Sequence, residues 1–112
     1  MHDKMHPLPS KEFSQRRREL APDVDKAFHD FSNAVFADGA LPRKVKQLIA
    51  VAVAHTTQCP YCIRSHTQAA LHEGATEREI MESIWVASEM RAGAAFAHSI
   101  IALEAMADAA HR

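Results

Sequence analysis

Turn-forming residues are scarce in this 112-residue chain, which has three glycines and five prolines. These glycines and prolines are too few for an all-β protein built on many tight turns. Aromatic residues make up only 6% of the chain, whereas 21 residues are alanine. Because alanine is the best helix former and is depleted in β-sheets, the composition predicts an all-α fold.

Long apolar runs and a strong net charge are also missing. No apolar run approaches the roughly 20 residues needed to span a bilayer, which excludes an integral membrane protein. The net charge of −1 gives no field that would draw the protein to nucleic acid or to anionic lipid. The first ten residues, MHDKMHPLPS, contain no apolar export signal, so we expect a cytoplasmic protein. Structural disulfides are rare in that compartment, and the two cysteines therefore need another explanation.

Apolar periodicity and capping signals predict a compact bundle of five to six helices. Ser10 can cap the first helix, Pro22 fits the first turn of the second, and Thr76 with Glu79 has the spacing of a capping box. The predicted helices run from Ser10 to about Leu20, from Pro22 to before Gly39, from Pro42 to before Pro60, from Pro60 to Glu73, from Thr76 onward, and from about Gly93 to the C-terminal region.

The second helix carries an apolar stripe at spacings of four, three and four residues, formed by Val24, Phe28, Phe31 and Val35. The last helix presents Phe96, Ile100, Leu103 and Ala107. The helix from Pro42 to about Ala54 is apolar nearly all round and is expected to be buried on most of its surface. A chain this short cannot enclose so much apolar surface, so we expect a homo-oligomer.

The prolines divide the chain into two parts, because four of the five lie within the first 42 residues. Residues 1–20 are predicted to form an N-terminal arm, flexible up to residue 9, and a short helix. Residues 21–112 are predicted to form the helical domain.

Both cysteines lie in the segment Cys59-Pro60-Tyr61-Cys62, and His66 follows four residues later. The segment falls at a predicted helix start, where unpaired N–H groups and the helix dipole favour a thiolate over a thiol. A three-residue separation lets the two sulfurs meet across one helical turn. His66 lies one turn beyond Cys62 on the same face, within reach as a proton acceptor or donor. The pattern therefore predicts a redox-active dithiol with an adjacent base.

A zinc site is the main alternative from the residues alone. His55, Cys59, Cys62 and His66 have the spacing H-x3-C-x2-C-x3-H, and all four are acceptable zinc ligands. On one continuous helix, His55 and His66 would lie roughly 16 Å apart, too far to share a tetrahedral ion. A kink at Pro60 could shorten that distance, and a partner subunit could also contribute ligands, so the zinc alternative remains open.

The segment KVKQLIAVAVAHTTQCPYCIRSHTQAALHEGATEREIMESI resembles the core of the carboxymuconolactone decarboxylase family, and most closely its alkylhydroperoxidase D-like branch. The similarity covers roughly residues 22 to 100, and C-x-x-C-x-x-x-H is its most specific element. The resemblance implies an all-helical fold that assembles into trimers or hexamers. It also implies a thiol peroxidase that acts on a hydroperoxide substrate without a bound cofactor or metal. The implied reductant is a dithiol carried by a lipoyl-bearing or thioredoxin-like protein.

The resemblance also implies residue roles. Cys62 would attack the peroxide, Cys59 would resolve the product as a disulfide, and His66 would belong to a proton relay. The family's relay includes a glutamate twelve residues before the first cysteine, and this chain has Gln47 at that position. Glutamine can orient a water or hold His66, but it cannot take a proton at neutral pH. His55 could substitute in the relay or could be an ordinary histidine on the helix surface.

Two further functions stay open at this point. One is a carboxymuconolactone decarboxylase-like enzyme, although that branch does not depend on a C-x-x-C pair. The other is a non-catalytic oligomeric module that senses redox state or binds zinc.

Overall fold

The structure, a computed structural model, describes residues 5–111, and the first four residues of the predicted arm and Arg112 lie outside that range. Within it the chain forms helices and no strands, which confirms the predicted all-α class. The helices are α1 (Lys11–Leu20), α2 (Pro22–Phe36), α3 (Arg43–Thr57), α4 (Pro60–His72) and α5 (Glu77–Ala110).

Local capping chemistry sets the helix starts. The Ser10 hydroxyl accepts a hydrogen bond from the Phe13 N–H at 3.1 Å, which satisfies one of the first unpaired amides of α1. At the start of α5, Thr76 Oγ1 accepts from the Glu79 N–H at 3.1 Å, and the Glu79 carboxylate accepts from the Thr76 N–H at 2.8 Å. The capping box predicted from the sequence is therefore present.

Residues in the left-handed backbone region end the two central helices. Gln58 has φ 57° and follows the last residue of α3, and Gly74 has φ +88° just after α4. Glycine adopts this conformation without a steric penalty, which explains the predicted stop at Gly74. The Gln58 turn reverses the chain, so that Pro60 begins a new helix instead of kinking α3.

The predicted break near Gly93 is wrong, because α5 continues through it as one helix of 34 residues. A single glycine inside a helix costs only about 1 kcal/mol relative to alanine. Alanines lie on both sides of Gly93, and no proline or capping residue follows it closely. The local propensity therefore favours one continuous helix.

The core is small and is centred on α3, which packs against both α4 and α5. Its fully or nearly fully buried members are Val51, Ala70, Ala75 and Ile80, and Leu48 and Ile84 pack against them. The expectation that α3 is buried on most of its surface is wrong for a single chain, since Ile49 is 47% exposed and Val53 is 52% exposed. None of the helices in residues 5–111 is long and apolar enough to cross a membrane.

Candidate functional site

The C-x-x-C segment forms the N-terminus of α4. Cys59 is the N-cap residue with extended backbone angles, and Pro60 occupies the first helical turn. The Cys62 N–H donates to Cys59 Sγ at 3.3 Å, so the sulfur takes the place of the usual capping oxygen. The sequence positions both thiols in this way because proline fixes the backbone between them and lacks an N–H of its own.

The two thiols are reduced and partly buried, and their acidities differ. Hydrogen bonds from the side chain and the backbone N–H of Cys62 lower the pKa of Cys59. The hydrogen bond to the Cys59 side chain raises the pKa of Cys62, because the Cys62 proton is held against the Cys59 sulfur. Burial raises the pKa of Cys62 further. In the reduced protein the favoured thiolate is therefore Cys59, and Cys62 retains the proton.

The structure joins His66 to Gln47 across two helices. The His66 Nδ1–H donates to Gln47 Oε1 at 2.7 Å, between α4 and α3. Because the amide oxygen can only accept, this bond places the imidazole proton on Nδ1 and leaves Nε2 as a proton acceptor. Of the two residues suggested for the relay, Gln47 is thus the one that contacts His66.

An aromatic ring and partial burial shape the environment of His66. The Phe36 ring stacks on the imidazole with 5.1 Å between centroids and 25° between planes. Burial lowers the pKa of His66, because the charged imidazolium is poorly solvated there. No carboxylate compensates at position 47, so His66 is held in its neutral form near neutral pH.

A cavity of about 410 Å³ opens beside Cys62 and His66. Its other walls come from the end of α2 and one face of α3, and they are mainly aliphatic or aromatic: Val35, Phe36, Ile49, Ala50, Val53, Ala54, Lys46 and Thr57. Apolar walls around one thiol and one base are suited to an apolar reactant.

His55 lies outside this arrangement. Its Nδ1–H donates to the Val51 carbonyl oxygen one turn earlier in α3, at 2.7 Å. It does not line the cavity that holds Cys62 and His66. These contacts fit the simpler interpretation of His55 as a histidine that bonds to its own helix.

The residues that the structure describes offer no zinc ligand set that would support the zinc alternative. Across residues 5–111, no group of three or more His, Cys, Asp or Glu side chains is placed to hold a metal ion. The turn at Gln58 separates the helix of His55 from that of Cys62 and His66.

Sequence reasoning missed two residues of the cavity wall. Phe36 is the last residue of α2 and falls next to the apolar stripe of that helix, so its spacing gives no sign that it reaches His66. Lys46 donates through Nζ to the carbonyl oxygens of Val35 at 2.8 Å and Ala37 at 2.6 Å. It thereby ties the C-terminal end of α2 to α3, as a cation at a helix C-terminus commonly does.

Comparison with known proteins decides the family. The sequence model of the carboxymuconolactone decarboxylase family matches residues 22–105, well over half of the chain. The chain belongs to the carboxymuconolactone decarboxylase family. This confirms the resemblance drawn from the C-x-x-C segment and its flanking helices.

Several known proteins are similar to this chain. "Uncharacterized protein 4 in cox locus" of Paracoccus denitrificans is 64% identical over 80 residues, which covers 71% of this chain and 72% of that protein. The structure of a carboxymuconolactone decarboxylase family protein from Legionella pneumophila is 35% identical, with a TM-score of 0.67 and 84% of each chain covered. A family member from Thermotoga maritima, described in terms of a possible part in the antioxidative response, is 28% identical with a TM-score of 0.56. The match covers 87% of this chain and 96% of that one.

Proposed function

We propose that this member of the carboxymuconolactone decarboxylase family is a dithiol peroxidase, in which Cys62 and Cys59 reduce an organic hydroperoxide. The observation that supports the proposal most strongly is the shared cavity of Cys62 and His66, with Cys59 in hydrogen-bond contact behind Cys62. The description of the Thermotoga maritima relative in terms of an antioxidative response is consistent with this chemistry.

The first step is an attack by the Cys62 sulfur on the terminal oxygen of ROOH. The S–O bond forms as the O–O bond breaks, so that the cysteine is oxidised to a sulfenic acid and the peroxide is reduced. The departing alkoxide takes up the proton that Cys62 gave up and leaves as ROH.

His66 supplies the base for this step. The reduced pair keeps the proton on Cys62, so this thiol needs a proton acceptor before it can attack. The Gln47 contact leaves His66 Nε2 unprotonated, and His66 follows Cys62 by one helical turn. His66 accepts the thiol proton and passes it to the alkoxide.

Cys59 completes the oxidative half of the cycle. Its thiolate attacks the sulfur of the Cys62 sulfenic acid, the S–S bond forms as the S–O bond breaks, and the departing hydroxide takes up a proton from solvent and leaves as water. An external dithiol of the lipoyl or thioredoxin kind then reduces the disulfide and becomes a disulfide itself. Because the backbone N–H of Cys62 still donates to the Cys59 sulfur when Cys62 is in the mixed disulfide, Cys59 is the better leaving group in that exchange.

The cavity walls indicate the substrate class. Val35, Ile49 and Val53 offer apolar surface beside the reacting sulfur. A hydroperoxide with an alkyl or aryl group buries that group there, whereas hydrogen peroxide gains nothing from the walls. We therefore expect a preference for organic hydroperoxides.

Steady-state consumption of cumene hydroperoxide and of hydrogen peroxide, with a small dithiol as reductant, tests this function. The parent protein should consume the organic peroxide with the higher kcat/KM. Cys62→Ser should abolish turnover, and Ser65→Ala, an exposed position on the same helix, should leave it unchanged. Consumption by Cys62→Ser at the parent rate would show that the proposed nucleophile is wrong.

A further inference from the structure

Lys46 gives the cavity beside Cys62 and His66 its one full charge. Of the described residues that line this cavity, Lys46 alone is a cation near neutral pH, since His66 is held neutral. Lys46 is half-buried, and most of the other lining side chains are aliphatic or aromatic. Its charge is therefore less screened by water than the charge of a fully exposed lysine.

The basic residues at the start of α3 differ in their partners. Arg43 lies 3.8 Å from the Asp38 carboxylate, and Lys44 lies 2.8 Å from the Glu79 carboxylate. Lys46 instead donates only to neutral carbonyl oxygens at the end of α2. Among residues 5–111, no carboxylate lies within ion-pair distance of the Lys46 ammonium group. The dipole at the C-terminus of α2 compensates its charge only in part.

The Lys46 ammonium group also retains a hydrogen-bond donor. It has three N–H groups, and the bonds to the carbonyl oxygens of Val35 and Ala37 use two of them. Within the part of the chain that the structure describes, no side chain or carbonyl group accepts a bond from the third. A half-buried cation with a spare donor beside apolar walls favours an anionic group of a ligand, and a carboxylate suits it well.

Lys46 and the thiols lie at different levels of α3. The Cys59 N–H donates to the Ala54 carbonyl oxygen at 3.1 Å, and the Cys62 N–H donates to the Cys59 sulfur at 3.3 Å. Cys62 is thus close to the level of Ala54, and Lys46 lies two turns earlier in α3, about 12 Å along the helix axis. Between these two levels the cavity is lined by Ile49, Ala50 and Val53. A ligand that reaches both ends therefore needs an aliphatic chain of several carbons between its anionic group and its reacting group.

We propose that Lys46 binds the carboxylate of an aliphatic acid hydroperoxide, whose chain lies along α3 and whose peroxide group, remote from the carboxylate, faces Cys62. The reaction rests on the proposed peroxidase function, whereas binding of the acid does not require any reaction. The carboxylate serves for recognition only and is unchanged. The O–O bond breaks as the Cys62 sulfur takes the terminal oxygen, which leaves a sulfenic acid on Cys62 and releases the corresponding hydroxy acid.

Calorimetric titration of the reduced protein with octanoate and with 1-octanol tests the binding site without a peroxide. The two probes have the same chain length and differ in the end group. The ratio of octanoate affinity to 1-octanol affinity should fall at least about fivefold in Lys46→Met, since one ion pair is lost. Lys46→Arg retains the cation and should keep the parent ratio. Lys44→Met removes the same charge outside the cavity and should also keep it.

Three results would overturn the carboxylate site: a parent that binds neither probe, an unchanged ratio in Lys46→Met, or an equal fall in Lys44→Met. If Lys46→Met fails to fold by circular dichroism, NMR of the parent decides. Octanoate should then shift the Lys46 side-chain signal together with the methyl signals of Ile49 and Val53, whereas 1-octanol should shift only the methyl signals. A Lys46 signal that octanoate leaves unchanged, or that both probes shift equally, would contradict the proposal.

The hydroperoxide 8-hydroperoxyoctanoate and its methyl ester test whether the carboxylate site serves the reaction. In the parent, in Lys44→Met and in Lys46→Arg the acid should have the lower KM. In Lys46→Met the difference in KM between acid and ester should disappear. Turnover of both compounds with equal KM in the parent would overturn the role of Lys46 and leave the peroxidase function standing. Octanoate binding that depends on Lys46, without turnover of either hydroperoxide, would overturn the peroxidase function and leave the carboxylate site standing.

Discussion

His66 and Gln47 are joined by a 2.7 Å hydrogen bond in which the imidazole Nδ1–H donates to the amide oxygen. The bond fixes the imidazole tautomer but gives His66 no charged partner. The resemblance to the alkylhydroperoxidase D-like branch implies a glutamate at this position, which would stabilise the imidazolium. The amide instead keeps His66 as a neutral base, and burial acts in the same direction.

Gln47→Glu should raise the pKa of His66. A carboxylate in contact with Nδ1 favours the charged imidazole, and an opposite charge at this range commonly changes a pKa by about 1 to 3 pH units. Titration of the His66 ring signal by NMR measures the change. Gln47→Met, which removes the acceptor without adding a charge, is the control and should leave the pKa low. Equal pKa values in the parent and Gln47→Glu would show that the contact does not act on the imidazole in solution.

Alkylation of the reduced protein should modify Cys59 at a lower pH than Cys62. The Cys62 thiol and N–H stabilise the Cys59 thiolate, and the same contact holds the proton on Cys62. Iodoacetamide labelling as a function of pH, followed by peptide mass spectrometry, gives the two profiles. In Cys62→Ala the Cys59 profile should move to higher pH, since one hydrogen-bond donor is lost. If Cys62 were modified at the lower pH, the order of acidities would be reversed.

Protonation of His66 should make the protein less stable in mild acid. Its pKa in the folded protein is lowered, so below about pH 6.5 the unfolded chain takes up a proton more readily than the native state. The free energy of unfolding should therefore decrease as the pH falls through this range. Denaturant titrations should show a smaller decrease in His66→Gln, which cannot take up that proton. The same decrease in both proteins would assign the effect to other groups.

Removal of the capping box at the start of α5 should destabilise the fold measurably. Thr76→Ala loses the acceptor for the Glu79 N–H, at an expected cost of about 1 kcal/mol. Thr76→Ser retains the hydroxyl and should recover most of that free energy of unfolding. A loss of equal size in Thr76→Ser would assign the effect to the threonine methyl group instead of the cap.

Helix boundaries could be predicted where one residue determines them. Ser10, Thr76 and Gly74 act through their own backbone or side-chain hydrogen bonds, so their roles are visible in the local sequence. Gly93 is different, because a glycine only weakens a helix and the surrounding alanines decide the outcome. A break was expected there, and the helix continues.

The candidate site was predictable in part. The spacing of Cys59, Cys62 and His66 predicts that they follow one another over the first two turns of α4, which the structure shows. Gln47 is 19 residues from His66, and its position came from the resemblance to the family and not from any local pattern. The position of Phe36 depends on how α2 packs against α3, so no spacing in the sequence indicates its stacking on His66. The relative acidity of the thiols depends on which sulfur caps the helix, and that also requires the three-dimensional contact.

The most direct test of the dithiol mechanism is mass spectrometry of the reduced protein after one equivalent of cumene hydroperoxide. The parent should lose two thiols and form a Cys59–Cys62 disulfide within each chain. Cys59→Ser should accumulate a sulfenic acid on Cys62 that dimedone traps. Parent protein that retains both thiols, or a dimedone adduct found on Cys59 and not on Cys62, would contradict the mechanism.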